Sequence, residues 1–308
     1  MPDDIWLPVR RRWAALTPLV LRPGGPRERK VRFRRRWNFF ATPDVAMAVT
    51  GMRGTGKSTL LKAIRGRLLF GDYPLGEESP DAESDRFVAV TEHGSKQVKS
   101  VVVPGQKDSA QGERTLRKYF RNGRSPDGVV HVVSWGYSTI WDSTAEQVAI
   151  ASTATGDAPE GVDPDVARTR EYNRKGELDD FRQTCALLKE SWRGTRKRLW
   201  LVIAVAKVDL FQNAESLRQA GRYYLPAEQP KDDSPFAREL RALVNHLGEE
   251  RFGTAERPRI AVVPLVSFPE DYPVGESVVQ STGKPDVISV LLTTFINTLW
   301  EFSGDDRA

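Results

Sequence analysis

Short apolar segments alternate with longer segments of helical periodicity along most of the chain. The apolar segments have the length of buried strands and many β-branched residues, and they cover residues 44–50, 87–91, 98–103, 129–133, 199–205 and 259–266. Between them, apolar residues recur three or four positions apart, which predicts helices at residues 58–70, 113–119, 165–192, 216–225, 235–251 and 287–302. The pattern therefore predicts an α/β protein.

The order of these segments narrows the fold class. Strands that are apolar throughout, with helices between most of them, are typical of a parallel sheet covered on both faces. We expect one doubly wound, mostly parallel sheet of six strands within a domain of residues 41–304, and a hairpin near residue 94 that puts an antiparallel strand at one edge. Residues 71–85 and 143–164 lack this periodicity, which predicts loops, and the second is long enough to be partly disordered.

The first predicted strand leads into a motif of the phosphate-loop type, which runs Gly51, Met52, Arg53, Gly54, Thr55, Gly56, Lys57, Ser58 and Thr59. Its glycines let successive backbone N–H groups point at phosphates, and the following helix adds its N-terminal dipole. Lys57 supplies a charge to the β and γ oxygens, and the Ser58 hydroxyl can bind Mg²⁺. The motif predicts nucleotide binding, with a Gly-rich turn of no function as the alternative, and it does not choose the base.

A second motif follows the strand at 199–205 and reads Ala206, Lys207, Val208, Asp209. With the phosphate loop and the order of elements over residues 44–303, it resembles the P-loop GTPases of the Ras-like and septin-like kind. The resemblance implies GTP or GDP as ligand: the Asp209 carboxylate accepts hydrogen bonds from guanine N1–H and N2–H₂, and Lys207 packs along the base. Ala206 stands where asparagine is commoner, so a bond that braces the phosphate loop is lost.

The resemblance also implies the strand order of the Ras-like GTPases and a further motif after the strand at 259–266. Ser267 falls at the serine of the usual Ser-Ala-Lys sequence, whereas Phe268 and Pro269 do not match. The alternative is an ATP-using P-loop protein, such as a signalling ATPase or a kinase-like enzyme, in which Asp209 is an ordinary aspartate at a strand end.

The stretch KSVVVPGQ, residues 99–106, departs from the same family at one position. Val102 takes the place of an aspartate that holds a water on Mg²⁺, and this weakens the second shell of the metal. Gly105 matches the glycine whose N–H touches the γ-phosphate, and Gln106 stands where Ras-like enzymes keep the glutamine that orients the attacking water. The alternative reading is that Pro104 and Gly105 form a simple turn.

Arg53 is the second departure, since Ras-like proteins prefer glycine at this place in the loop. Its side chain either crowds the water and Gln106 or acts on the γ-phosphate as a built-in arginine finger. The first switch should lie in residues 71–85 and supply a threonine to Mg²⁺, but no threonine is present there. The candidates for the missing metal-side oxygens are Ser79, Asp81, Glu83, Ser84, Asp85 and Asp108.

Charge is unevenly distributed. Residues 1–43 carry eleven Lys and Arg against three Asp and Glu, a balance of +8, so the other 265 residues of the chain sum to −3. In the arm of residues 1–40, the stretch 27–37 interleaves Arg and Lys with Val31, Phe33 and Trp37, and Trp6 and Trp13 flank further arginines. Such a segment can bind an anionic membrane, a protein partner or, less favourably, nucleic acid, or it can pack on the domain with its arginines in water.

The chain has a single cysteine, Cys185, and its first residues do not have the pattern of a signal peptide, so we expect a cytoplasmic protein, with attachment to a membrane surface as an option for the arm. The function expected is a guanine-nucleotide-binding switch whose GTP hydrolysis is slow or partner-dependent, with Lys57, Arg53 and Gln106 as catalytic candidates. The alternatives are the ATP-binding signalling protein and a nucleotide-binding module without turnover that docks on a membrane or a protein.

Overall fold

The computed structural model describes residues 6–21, 45–69, 83–91, 94–103, 120, 126–140, 143–151, 163–192, 199–211, 213–250 and 258–303. The strands are β1 (Val45–Thr50), β2 (Glu83–Thr91), β3 (Gly94–Val102), β4 (Gly128–Val133), β5 (Trp200–Val205), β6 (Arg259–Pro264), β7 (Tyr272–Val274) and β8 (Ser277–Val279). The helices are α1 (Trp6–Leu21), α2 (Lys57–Leu69), α3 (Ser143–Ala151), α4 (Pro164–Ser191), α5 (Ala214–Tyr224), α6 (Pro235–Glu250) and α7 (Pro285–Phe302).

The main sheet has the order β2-β3-β1-β4-β5-β6. Strands β3, β1, β4, β5 and β6 pair in parallel, and β2 pairs with β3 as an antiparallel hairpin at the edge. Each residue of β4 and β5 is buried, which is the burial expected of central strands covered on both faces. The expectation of an α/β fold built on a parallel sheet is confirmed. A small hairpin of β7 and β8, which the sequence pattern did not predict, forms a separate sheet.

Two clusters of apolar side chains lie on opposite faces of this sheet. One joins side chains of β4 and β5 to Phe181 and Leu188 of α4, Leu217 of α5 and Leu240 of α6. The other joins the alternate residues of the same strands to Leu60 of α2 and Phe295 of α7. Because successive strand residues point to opposite faces, one apolar run supplies both clusters.

Helix α1 packs beside the edge strand β6. Trp6, Val9 and Trp13 are buried in the first apolar cluster, and Leu16 lies in the second. On the polar side of α1, Arg12 donates to Glu301 of α7 at 2.9 Å. The tryptophans of this segment, Trp6 and Trp13, are therefore core residues. The cationic stretch 27–37 lies outside the described residues.

Residues 143–151 form helix α3, so the prediction of a loop was wrong for this part of 143–164. Ala149 of α3 is fully buried, and α3 packs against α4, a tertiary contact that the short sequence of α3 does not predict. The predicted helix at 113–119 and most of the loop at 71–85 lie outside the described residues. Within the described residues, no helix combines the length and apolar character needed to cross a membrane.

Candidate functional site

The loop between β1 and α2 has a backbone that its glycines make possible. Gly51, Gly54 and Gly56 have φ angles of 132°, 81° and 97°, a region that residues with a Cβ rarely adopt. At Gly51 a Cβ would lie 2.3 Å from the carbonyl oxygen of Val132, and at Gly54 it would lie 2.2 Å from that of Thr139. The loop therefore follows a path pressed against the end of β4.

Lys57, the first residue of α2, reaches back across this loop. Its Nζ donates to the carbonyl oxygens of Gly51 at 2.7 Å and Met52 at 2.9 Å. Burial lowers the pKa of Lys57 to about 8, because desolvation disfavours the ammonium form. The Thr55 hydroxyl also donates to Met52 O, at 2.9 Å. The lysine is thus positioned at the loop, with its charge satisfied by carbonyl oxygens that an anion can replace.

Four parallel strands end at the same edge of the sheet as this loop. The segments that follow them are the phosphate loop after β1, residues 134–140 after β4, residues 206–211 after β5 and residues 265–269 after β6. In open α/β sheets this edge is where ligands bind. The topology therefore brings the two motifs of the sequence, the phosphate loop and Lys207–Asp209, to one edge.

Lys207 has a left-handed backbone conformation, with φ 57°, and its side chain points towards the neighbouring segment. Its Nζ donates to Tyr137 O at 2.8 Å and to Thr139 Oγ1 at 2.9 Å. Burial lowers the pKa of Lys207 to about 8, while the carboxylates of Glu270, Asp209 and Glu177 act in the opposite direction. This lysine is fixed by neutral oxygens rather than by a direct ion pair with Asp209.

Asp209 is buried, with 3% of its surface exposed. One carboxylate oxygen, Oδ2, accepts a hydrogen bond from Ser281 Oγ at 2.5 Å. The other, Oδ1, is buried and accepts none from the residues that the structure describes. Burial raises the pKa of Asp209 above its ordinary range, and the Ser281 hydrogen bond opposes that rise. A buried carboxylate oxygen without a donor is costly, so this atom is suited to a ligand that brings N–H groups.

Ser281 belongs to a short loop between β8 and α7 that closes over Asp209. Its own N–H donates to Asp271 Oδ1 at 2.8 Å, and the Thr282 N–H and hydroxyl both donate to the backbone oxygen of Asp209, at 3.0 and 2.7 Å. A Cβ on Gly283 would lie 2.8 Å from Pro269 Cβ. The loop thus fixes both the side chain and the backbone oxygen of Asp209.

The 134–140 turn is attached to helix α4 by a fully buried carboxylate, Glu177. Its Oε1 accepts from Ser134 N and Ser134 Oγ at 3.0 and 2.9 Å, and from Gly136 N and Ser138 Oγ at 3.2 Å each. Its Oε2 accepts from the Tyr224 hydroxyl at 2.7 Å. A buried charge is tolerated when it is hydrogen-bonded in this way, and the turn is consequently well ordered by its contacts.

The set of residues expected near Mg²⁺ is less complete. Val102 ends β3 beside Val49 of β1, is 4% exposed, and has no oxygen on its side chain to offer. Ser58 is half-buried in the first turn of α2, as the motif requires. Within the described part of the chain, no group of three or more His, Cys, Asp or Glu side chains could hold a metal ion. Among the described residues, Ser58 is the one that the motif predicts as a ligand of Mg²⁺.

Several predicted residues cannot be placed. Gly105 and Gln106, with Ser79, Asp81 and Asp108, lie outside the described residues. Glu83, Ser84 and Asp85 are in β2, at register positions opposite Val102, Val101 and Ser100 of β3. The start of β2 is thus at the same end of the sheet as the phosphate loop.

Arg53 and Ser267 both lie at this edge. Arg53 is half-buried within the loop, between Gly51 and Gly54. Ser267 follows the buried Leu265 and Val266, and its Oγ is buried without a hydrogen-bond partner among the described residues. Phe268 beside it is 45% exposed. The Ser267 hydroxyl is therefore buried at this edge, while the apolar Phe268 is exposed to solvent.

Two features of this edge match the nucleotide site expected from the sequence, and Ser58 matches the expected Mg²⁺ ligand. The loop and Lys57 provide an anion site, and Asp209 Oδ1 provides an acceptor for a ligand N–H. Sequence reasoning missed Thr139, Glu177, Tyr224, Ser281 and Thr282. The Ser-Thr-Gly run at 281–283 was a usable signal for a turn, whereas Glu177 looks like any other polar residue of α4.

A search of protein-family models gives no match to this chain, and no curated protein matches its sequence. The functional conclusion therefore depends on the geometry of the site.

Proposed function

We propose that this protein binds GDP and GTP and acts as a guanine-nucleotide switch. The observation that carries the proposal is the buried Asp209 Oδ1, which has no donor among the described residues and lies at the sheet edge that also holds the phosphate loop. Guanine offers two adjacent donors, N1–H and N2–H₂, and adenine does not offer this pair. The sheet order, with an antiparallel β2 next to β3, supports the Ras-like GTPase arrangement as its framework.

Each residue has a chemical task in this proposal. Lys57 exchanges its two carbonyl acceptors for phosphate oxygens, and the backbone N–H groups from Gly54 to Ser58 bind the same anion at the N-terminus of α2. Asp209 accepts the N–H groups of the base with Oδ1 and the remaining lone pairs of Oδ2, and Ser281 keeps the carboxylate in place. Ser58 binds Mg²⁺, which neutralises charge on the phosphate oxygens.

Hydrolysis in this proposal is slow or depends on a partner. Val102 is buried and apolar, so it does not provide the carboxylate that would orient a water on the metal. The same observation favours a second candidate function, a nucleotide-binding module without turnover. Gln106 is the water-orienting residue of the first candidate, and Arg53 either crowds that water or stabilises charge on the γ-phosphate.

A cytosolic location, a protein partner for the switch and an anionic membrane surface for the stretch 27–37 belong to the same proposal. The stretch has the basic and aromatic composition that such surfaces attract. ATP as the ligand is the competing proposal for the site.

The test is a titration of labelled GDP, GTP and ATP with Mg²⁺, using the wild type and Asp209→Ala. We expect guanine nucleotides to bind at least roughly tenfold more tightly than ATP, and this preference to disappear in the variant, because the buried acceptor is removed. A preference for ATP, or a guanine preference that survives in Asp209→Ala, would contradict the proposal. Single-turnover hydrolysis that depends on Gln106 would decide between the switch and the module without turnover.

A further inference from the structure

The phosphate loop and Lys207 are not hydrogen-bonded to each other, yet both contact one residue, Thr139. The Thr139 N–H donates to Gly54 O in the phosphate loop at 3.1 Å. The Thr139 hydroxyl accepts from Lys207 Nζ at 2.9 Å. One residue of the 134–140 turn thus joins the phosphate side of the site to its base side.

The contact on the phosphate side is unusually close. A Cβ on Gly54 would lie 2.2 Å from Thr139 O and 2.6 Å from Thr139 N. Gly54 therefore has to be glycine for two reasons, its φ of 81° and the backbone of the turn packed against it. Two segments that fit this closely cannot move independently without opening a gap.

The 134–140 turn is itself fixed by hydrogen bonds to side chains of other elements. Glu177 accepts four hydrogen bonds from Ser134, Gly136 and Ser138, and Tyr224 connects the same carboxylate to Trp135 by accepting from Trp135 N at 2.9 Å. On the other side of the turn, Asn173 Nδ2 donates to Gly136 O and Ser138 O, each at 2.9 Å. Side chains of helix α4 therefore bind both N–H and C=O groups of the turn.

We propose that Thr139 is a positioning residue, which fixes the phosphate loop and Lys207 relative to each other and so couples recognition of the phosphates to recognition of the base. It supplies the connection that is missing at Ala206, whose methyl group has no hydrogen-bonding atom. The inference rests on the proposed function, since it concerns how the same nucleotide site is organised. Glu177 acts behind Thr139 by fixing the turn.

The first experiment uses Thr139→Val, which keeps the shape and the backbone N–H of Thr139 and removes only its hydroxyl. GDP affinity is measured in the wild type and in the Lys207→Ala background. We expect Thr139→Val to weaken GDP binding roughly tenfold in the wild type, because a hydrogen bond to a charged group is lost, and to have no further effect once Lys207 is absent. Thr139→Ser keeps the hydroxyl and should therefore retain most of the GDP affinity of the wild type.

The matched control is Thr294→Val in α7, which also removes one hydroxyl bond, from Thr294 Oγ1 to Val290 O at 2.9 Å. It should leave GDP affinity unchanged. Equal weakening by both variants, or the same loss from Thr139→Val with and without Lys207, would overturn the proposal, because a general effect on folding would then explain the result.

A second experiment does not need a nucleotide. Hydrogen exchange of the free protein is compared in peptides that cover 51–58 and 134–140. We expect Thr139→Val to speed exchange in both peptides by up to roughly tenfold while the peptides of α7 are unchanged. Unchanged exchange in both peptides would overturn the proposal. If the wild type bound no guanine nucleotide, the proposed function would fail, and this second experiment would still decide whether Thr139 fixes the two segments.

Discussion

The two parts of the site that we propose to bind the phosphates and the base, called the phosphate side and the base side, are built in different ways. The phosphate side consists of consecutive residues, and Lys57 finds its carbonyl acceptors five and six positions away. The base side is assembled from distant parts of the chain, since Asp209 and Ser281 are 72 positions apart and Lys207 and Thr139 are 68 positions apart. The first is a local backbone structure, and the second depends on the packing of the whole sheet edge.

In the proposed function, the two sides also differ in what they recognise. The phosphate side presents backbone N–H groups and one ammonium, which bind any polyphosphate. The base side presents one buried carboxylate whose free oxygen suits a ligand with paired N–H groups. Affinity should therefore depend mainly on the first side and selectivity on the second, and variants that act on one side only can test this division.

The largest effect is expected where the two sides touch, at Gly54. In Gly54→Ala the new methyl group clashes with the Thr139 backbone and forces a non-glycine residue to a φ of 81°. We expect the free energy of unfolding to fall by about 3 kcal/mol or more, the sum of backbone strain and overpacking. Chemical denaturation of the free protein measures this.

Gly56→Ala is the matched control for that prediction. Gly56 has a similar φ, 97°, but a Cβ there would meet nothing within 4 Å. The strain alone should cost about 1–2 kcal/mol. If the two variants lost the same stability, the close contact between the loop and the 134–140 turn would be of no energetic importance.

The second prediction concerns Lys57. In Lys57→Ala we expect GDP, GTP and any other nucleotide that binds to be weakened by the same factor, on the order of 100-fold, because a desolvated charge at the phosphates is lost. Equilibrium titration measures the factors. The control is Lys62→Ala, which removes a half-buried lysine further along α2 and should change the nucleotide affinities little. A change in the preference between bases would contradict the assignment of affinity to the phosphate side and selectivity to the base side.

The phosphate side could be predicted from the sequence because its structure is local. A glycine pattern between an apolar strand and a helix fixes backbone, dipole and lysine together. The position of Asp209 at the end of a strand could also be predicted, since the residue closely follows an apolar strand. Ser281, Thr139 and Glu177 were not, because their partners are 72, 68 and 43 positions distant and no periodicity connects them.

The fold shows the same division between local and distant information. Central strands and amphipathic helices were placed within a few residues, because their apolar patterns are strong. Helix α3 was missed because its sequence STAEQVAIA is short and rich in small residues, and it is stabilised by packing on α4. Helix α1 carried a usable signal, Trp6, Val9, Trp13 and Leu16 at helical spacing, which the charge of the arm obscured.

The third prediction tests the base side directly. Asp209→Asn replaces one carboxylate oxygen by an amide that donates, so guanine binding should weaken roughly tenfold to 100-fold and xanthine nucleotides, which carry an acceptor at C2, should gain. Competition of xanthosine diphosphate (XDP) against labelled GDP measures the relative affinities of the two nucleotides. The exposed Asp232→Asn should bind like the wild type. Equal weakening of GDP and XDP would place Asp209 outside the base site.

The smallest effect is expected from Ser281→Ala, which keeps Asp209 and removes the side-chain hydrogen bond from Ser281 to its carboxylate. Loss of a single hydrogen bond should weaken GDP binding by roughly fivefold at neutral pH. The sign of the pH dependence follows from the pKa. Burial raises the pKa of Asp209 and the Ser281 bond lowers it, so the variant has the higher pKa. Since guanine binds the ionised carboxylate, affinity falls as the pH drops through that pKa, and in Ser281→Ala the fall begins at a higher pH. Titrations of GDP from mildly acidic to neutral pH measure the shift, and a fall at the same pH in both proteins would show that Asp209 is not the group that limits binding.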